Sequence, residues 1–151
     1  MNKEYLINNA SHLDNVDKST SDEYNSKIDG LVIKMNDLMA SRSDIKQLIG
    51  SNNVDMMKDN HANHARFIDS IMKNYNSEVL VNTILWVFNA YQNHGFSSNY
   101  WAAQLNAWIS ILKDELSEKS YSQVYPFYEW MQVNIPGFVE ASRGIENNPH
   151  D

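Results

Sequence analysis

Cysteine is absent from the 151 residues, and only five glycines and three prolines interrupt them. Without a thiol there is no disulfide, zinc ribbon, thiolate-held cluster, cysteine nucleophile or thioether-linked bilin or c-type haem. The shortage of glycine removes the phosphate loop, the dinucleotide fingerprint and the glycine-flanked serine elbow, each of which needs glycines at fixed spacing. Arginine occurs only as Arg42, Arg66 and Arg143, and the formal charge is −7. That balance argues against nucleic acid as a partner, because phosphate contacts need clustered cations.

Long apolar runs are missing as well. The most apolar stretch, residues 79–91, is broken by Asn82, Thr83 and Asn89 and falls short of the roughly 18 residues of a membrane span. The opening residues, MNKEYLINNASHLDNVDKSTSDEY, show neither the apolar run nor the small-residue cleavage pattern of a secretory signal. A soluble, cytoplasmic chain with no membrane partner is the expectation. Its length is that of one domain, and a chain this long buries about two-thirds of its unfolded surface, so it needs no covalent or metal staple.

What is present is helical periodicity. Ile28, Leu31, Val32, Met35, Leu38 and Met39 recur at three and four residues, the signature of an amphipathic helix. Ser21 is a candidate N-cap for it, with Asp22 and Glu23 in the first turn. A short helix over 44–49 is stopped by Gly50. The next helix, 54–75, carries Met57, His61, His64, Ile68, Ile71 and Tyr75 on one seam, so both histidines share the face of the core residues. A helix over 77–94, capped by Ser77 and ended by Gly95, is apolar around much of its circumference and is expected to be the central, most buried one. A fifth follows Ser97 or Ser98 with Trp101, Leu105, Trp108, Leu112 and Leu116 on its stripe. A sixth, capped by Ser117, runs over 118–134 with Val124, Phe127, Tyr128 and Met131 inward and a kink at Pro126. Pro136-Gly137 closes it, and Phe138 and Val139 dock a final turn. No alternating segment competes as a strand. The expectation is an all-α, single-domain bundle of about five main helices over 21–142, with short connections. A mobile arm or one short turn of helix over 1–20 and a frayed tail over 143–151 flank it.

Two histidines three residues apart on a helix can turn two nitrogens toward one metal. His61 and His64 are therefore the metal candidates, with Glu78, His94 or Glu129 as sources of a third ligand. The motif is not the His-Glu-x-x-His of zinc proteases, since its spacing is three and no glutamate follows His61. The alternative is a pair of core histidines bonded to neighbouring side chains, which would stay neutral and titrate below about 6.5. Haem ligation by His64 or His94 is a related reading, although His94 abuts Gly95 at a helix end.

Aromatic residues crowd between positions 86 and 130. Trp86 and Trp108 occupy apolar helical positions expected in the core, where large rings supply most of the buried area. Together with Tyr91 and Trp101 they also offer an aromatic-lined pocket with polar tips for a planar ligand. The carboxylate pair Asp114-Glu115 lies beside Lys113 on a solvated face, and no catalytic constellation appears.

The run Asn60-His61-x-x-His64-x-Arg66-Phe67-Ile68 is followed by Leu85-Trp86-Val87 and His94-Gly95-Phe96. A Trp-bearing helix with Ile111-Leu112-Lys113-Asp114-Glu115-Leu116 comes next. Over residues 55–135 this order resembles the helical segment found ahead of cobalamin-binding domains in some bacterial regulators. The Asp-x-His-x-x-Gly cobalamin motif itself is missing, since Asp59-Asn60-His61 continues as Ala62-Asn63-His64. The resemblance implies a regulatory or sensory helical module working with a separate partner. The functional expectation is a non-enzymatic module that binds a small ligand or a signalling protein through His61, His64, Trp86, Tyr91, Trp101 and Trp108, as a homodimer or with that partner. The alternative is a metal- or haem-binding protein using His61 and His64.

Overall fold

The computed structural model describes residues 2–145, which form helices and connecting turns with no strand among them. The order is α1 (Lys3–Asn9) with a 3-10 turn (Ala10–His12), α2 (Lys18–Ala40), α3 (Ile45–Ile49), α4 (Val54–Lys73), α5 (Ser77–Asn93), α6 (Asn99–Glu115), α7 (Glu118–Val133) and α8 (Ile135–Ala141). The all-α class is the one the periodicity implies, but the described residues hold eight α-helices rather than about five. Five of them have 16 to 23 residues, and α1, α3 and α8 have 5 to 7.

The central helix is α2, not α5. It pairs closely with α4, α6 and α7, whereas the close backbone partners of α5 are α1, the turn after it, and α8. The broad apolar surface of α5 is divided between those flanking helices and a cavity, so breadth of hydrophobicity did not mean centrality. Along α2, Leu31, Met35 and Met39 recur every fourth residue and are buried, which makes the inward stripe.

Charge placement on α2 also fixes the tight turn between α6 and α7. Glu23, expected to complement its own helix, lies inside α2 and caps another. It accepts hydrogen bonds from Ser117 N–H (2.7 Å), Ser117 Oγ (2.7 Å) and Ser120 Oγ (2.8 Å) at the start of α7. One turn along, Lys27 donates to the Glu115 carbonyl at the end of α6 (2.5 Å) and pairs with Glu23 (3.0 Å). A carboxylate thus meets the electropositive start of one helix and an ammonium the electronegative end of the other. Burial works against ionised Glu23, yet the bonds from Ser117, Ser120 and Lys27 outweigh it and hold the carboxyl down at about 2.

Several boundaries move. α2 begins at Lys18, and Ser21 is buried within it rather than capping it. Asp17 and Gln123 exchange hydrogen bonds of 2.8 and 2.9 Å that tie this start to α7. Asn76, not Ser77, caps α5, while Ser117 caps α7 as expected. Gly50 and Gly95 end their helices at φ +81° and +100°, a region glycine enters without strain. Pro136 does not simply close α7: it lies in the first turn of α8, whose Phe138 is buried.

The expected mobile arm is docked. Leu6, Ala10 and Leu13 are buried, Trp130 Nε1 donates to Asn9 Oδ1 (2.7 Å), and the Tyr75 hydroxyl donates to the Ala10 carbonyl (2.5 Å). The inward residues are spaced four and three apart, but one of them is an alanine, too small to register as apolar signal. The frayed tail falls mostly at 146–151, outside the described residues; Arg143 and Ile145 are held by backbone bonds to Glu140 and Ser142.

Candidate functional site

α4 sets the site. His61 and His64 are three positions apart, so their side chains leave the helix about 60° from one another and meet different neighbours. His61 is fully buried; its Nδ1 lies 2.7 Å from Asn36 Oδ1 on α2, and its Nε2 3.3 Å from the Tyr100 hydroxyl on α6. Nδ1 therefore carries the proton that is donated to Asn36. His64 Nε2 is 2.7 Å from the Tyr128 hydroxyl on α7. Trp108 lies between the two imidazoles, stacked on His64 at 5.1 Å and edge-on to His61 at 6.2 Å.

Both rings are kept neutral. Burial lowers the His61 imidazole to about 4. It lowers His64 to about 3, with the neighbouring His61 adding to the effect. A charged imidazole here would lose its hydration without meeting a carboxylate. The polar chain continues through Tyr100, whose hydroxyl donates to Asn60 Oδ1 at 2.8 Å, and Gln104, whose Nε2 donates to the same oxygen at 2.9 Å.

Beyond this chain lies a cavity of about 280 Å³ bounded by α4, α5 and α6 and closed by Met131 of α7 and Phe138 of α8. α4 contributes Asn60, Asn63, His64, Phe67 and Ile68, and α6 contributes Trp101, Gln104 and Leu105. From α5 come Thr83, Ile84, Trp86, Val87, Phe88 and Tyr91. Phe88 and Trp101 stack at 4.1 Å with planes 8° apart, and Trp101 Nε1 is satisfied by Gln92 Oε1 at 3.0 Å. Asn63 is exposed and Phe67, Trp86 and Val87 are half-buried, whereas Gln104, Leu105, Phe88 and Phe138 are buried. The mouth thus opens between α4 and α5 and the floor lies on α6 and α8. No Asp, Glu, Lys or Arg lines the wall.

Of the six expected ligand-binding residues, His64, Trp86, Tyr91 and Trp101 line this cavity, and His61 and Trp108 do not. Trp108 is wholly buried behind His64, and its Nε1–H has no partner. Trp86, expected in the core, forms part of the mouth instead. For a metal, among the described residues no three His, Asp or Glu side chains gather as a site requires. Glu78, His94 and Glu129 are exposed, and the His94 Nδ1 proton is donated to the Ala90 carbonyl of its own helix (2.7 Å). His61 Nδ1 is bonded to Asn36 and His64 Nε2 to Tyr128, so the nitrogen of His64 nearest a haem-ligating role already has a partner. Asn60 and Gln104 were missed by the sequence reading. Their signal was a polar residue set into an apolar stripe, as Gln104 is between Trp101 and Trp108.

Comparison of the chain with protein-family models, with curated proteins and with solved structures finds no match.

Proposed function

We propose that the chain is a non-enzymatic module of regulatory kind that takes a small, mainly apolar molecule into the cavity between α4, α5 and α6. The observation that carries this reading is the cavity itself. At about 280 Å³ it stands at the lower edge of the roughly 300–1,000 Å³ of small-molecule pockets, and it has their make-up of an apolar wall with a few placed polar groups. An enclosed void of that size would cost about 7 kcal/mol, a large part of the ordinary stability of a domain. The open mouth lowers that cost, and an occupant would remove it.

Two features favour binding over catalysis. The wall carries no carboxylate, lysine or arginine, and its histidine is already bonded to Tyr128 and held neutral, so no acid–base pair is poised there. α5 supplies one whole side of the wall while pairing closely with α1 and α8. A molecule that displaces α5 from α4 would therefore shift the helices near the two ends of the described chain, a route by which occupancy could reach a signalling partner.

The test is to fill the cavity. Leu105→Phe and Ile84→Phe should each abolish binding of a neutral fluorescent probe such as 1-aminoanthracene while keeping the helical circular dichroism. A wild-type chain that binds no neutral apolar probe, or filled variants that bind as well as wild type, would overturn the proposal.

A further inference from the structure

Resting on the reading of the cavity as a ligand site, we infer that its occupant is an uncharged molecule of two fused aromatic rings, selected for flatness by the stacked pair Phe88 and Trp101. The size follows from volume. An engineered apolar cavity of about 150 Å³ takes up one benzene, and 280 Å³ is nearly twice that. The flatness follows from the rings already there. Six Phe, Tyr and Trp side chains line the cavity: Phe67, Trp86, Phe88, Tyr91, Trp101 and Phe138. Among them Phe88 and Trp101 stack at 4.1 Å with planes 8° apart, Phe138 stands edge-on to Phe88 at 5.4 Å, and Tyr91 edge-on to Trp101 at 6.2 Å. An aromatic neighbour attracts a flat ring through its face or its edge alike, so the preference does not depend on which side of each ring is turned inward. Two fused flat rings make such contacts along their whole length. A saturated bicycle of the same outline is puckered and has no ring quadrupole to match.

The lack of charge follows from the wall and the rim together. No Asp, Glu, Lys or Arg lines the cavity, and His64 Nε2 is bonded to the Tyr128 hydroxyl. An ion inside would lose its hydration without finding a partner. At the rim, Arg66 donates to Asn63 Oδ1 (2.6 Å), and the Asp59 carboxylate adds to burial in raising the Tyr91 phenol. One cation and one anion therefore stand there, and neither sign of ligand is favoured. The amides of Asn60, Asn63 and Gln104 carry donors and an acceptor each, and Gln104 keeps one Nε2 hydrogen beyond its bond to Asn60. They impose no single hydrogen-bonding sense on the occupant.

Calorimetric titration of the full chain at pH 7.5 with four probes tests this. Beside 2-naphthol stand phenol, with one ring, decahydro-2-naphthol, of the same outline but saturated, and 2-naphthoate, which is ionised. 2-Naphthol should bind at least about tenfold tighter than phenol, the worth of burying a second ring. It should bind at least about threefold tighter than decahydro-2-naphthol, the worth of one aromatic contact, and at least about tenfold tighter than 2-naphthoate. Phe88→Leu, which keeps the wall apolar, should bring 2-naphthol and decahydro-2-naphthol within about twofold of each other. Phenol, decahydro-2-naphthol or 2-naphthoate binding as tightly as 2-naphthol overturns the ligand class and leaves the cavity site standing. A preference for the flat probe that survives Phe88→Leu overturns the role of the stacked pair. Phe88→Met serves where Phe88→Leu does not fold, and the wild-type series decides the class in either case. Failure of all four while 1-aminoanthracene binds and Leu105→Phe abolishes that binding overturns the class alone. Failure of every probe, 1-aminoanthracene included, removes the site itself.

Discussion

Lowering the pH from 7.5 to 5.5 should weaken the fold well before any carboxylate is protonated. In the native chain burial holds His61 at about 4 and His64 at about 3, so both remain neutral across that interval. In the unfolded chain both take up protons below about 6.5. The unfolded state therefore binds more protons, and stability falls as pH falls. At pH 5.5 each histidine contributes a loss of about 1.4 kcal/mol, and the pair about 3 kcal/mol. Because part of His64 faces the open cavity, about 2 kcal/mol is the safer floor. Urea unfolding at pH 7.5, 6.5 and 5.5 measures it directly. Glu23 does not interfere, since its contribution begins to fade only below about 4.5. Replacing His64 by Phe, which keeps a ring against Trp108, should roughly halve the pH slope. A flat profile between pH 7.5 and 5.5, or the assigned His61 and His64 resonances titrating near 6.5, would refute the burial argument.

Glu23→Gln should cost about 2–3 kcal/mol at pH 7, because the interval between an ordinary 4.5 and about 2 corresponds to about 3 kcal/mol at most and the side chain is 22% exposed. The gap to wild type should narrow as pH falls from 4.5 toward 2, and a gap in urea midpoints that stays constant would show that charge is not the cause. Gly30→Ala should stabilise by about 1 kcal/mol, since Gly30 is exposed inside α2 and an added Cβ would meet no heavy atom within 4 Å. A rise in Tm of a few degrees is expected, and a fall would indicate that this surface is covered in solution.

Periodicity made the seam of α4 and the stripe of α6 readable, because a side chain's face is fixed by 3.6 residues per turn. Four of the cavity residues were legible for the same reason. What lies opposite a face is not encoded in that period. Nothing local distinguishes Glu23 as a cap for its own helix from Glu23 as a cap for α7, 94 positions away. The docking of α1 and the turn after it escaped notice because it uses Ala10 and bonds from Trp130 and Tyr75, partners far along the chain. The metal reading turned on the same point: the spacing of His61 and His64 was visible, but not that Asn36 and Tyr128 would be there to meet them.

The chain of bonds from Gln104 to Asn36 has a direction. Tyr100 has one hydroxyl proton and two acceptors for it, Asn60 Oδ1 at 2.8 Å and His61 Nε2 at 3.3 Å. With Gln104 Nε2 donating to the same Asn60 oxygen, Asn60 presents an acceptor on this side and draws that proton toward itself. Were Gln104 reversed end for end, Asn60 would have to reverse with it and offer Nδ2, and the proton would turn to His61 Nε2 instead. No charge moves and no backbone shifts, yet His61 and Asn36, neither of which lines the cavity, would register the orientation of the Gln104 amide. One backbone and one cavity would then be compatible with two arrangements of protons along the polar seam of α2 and α4.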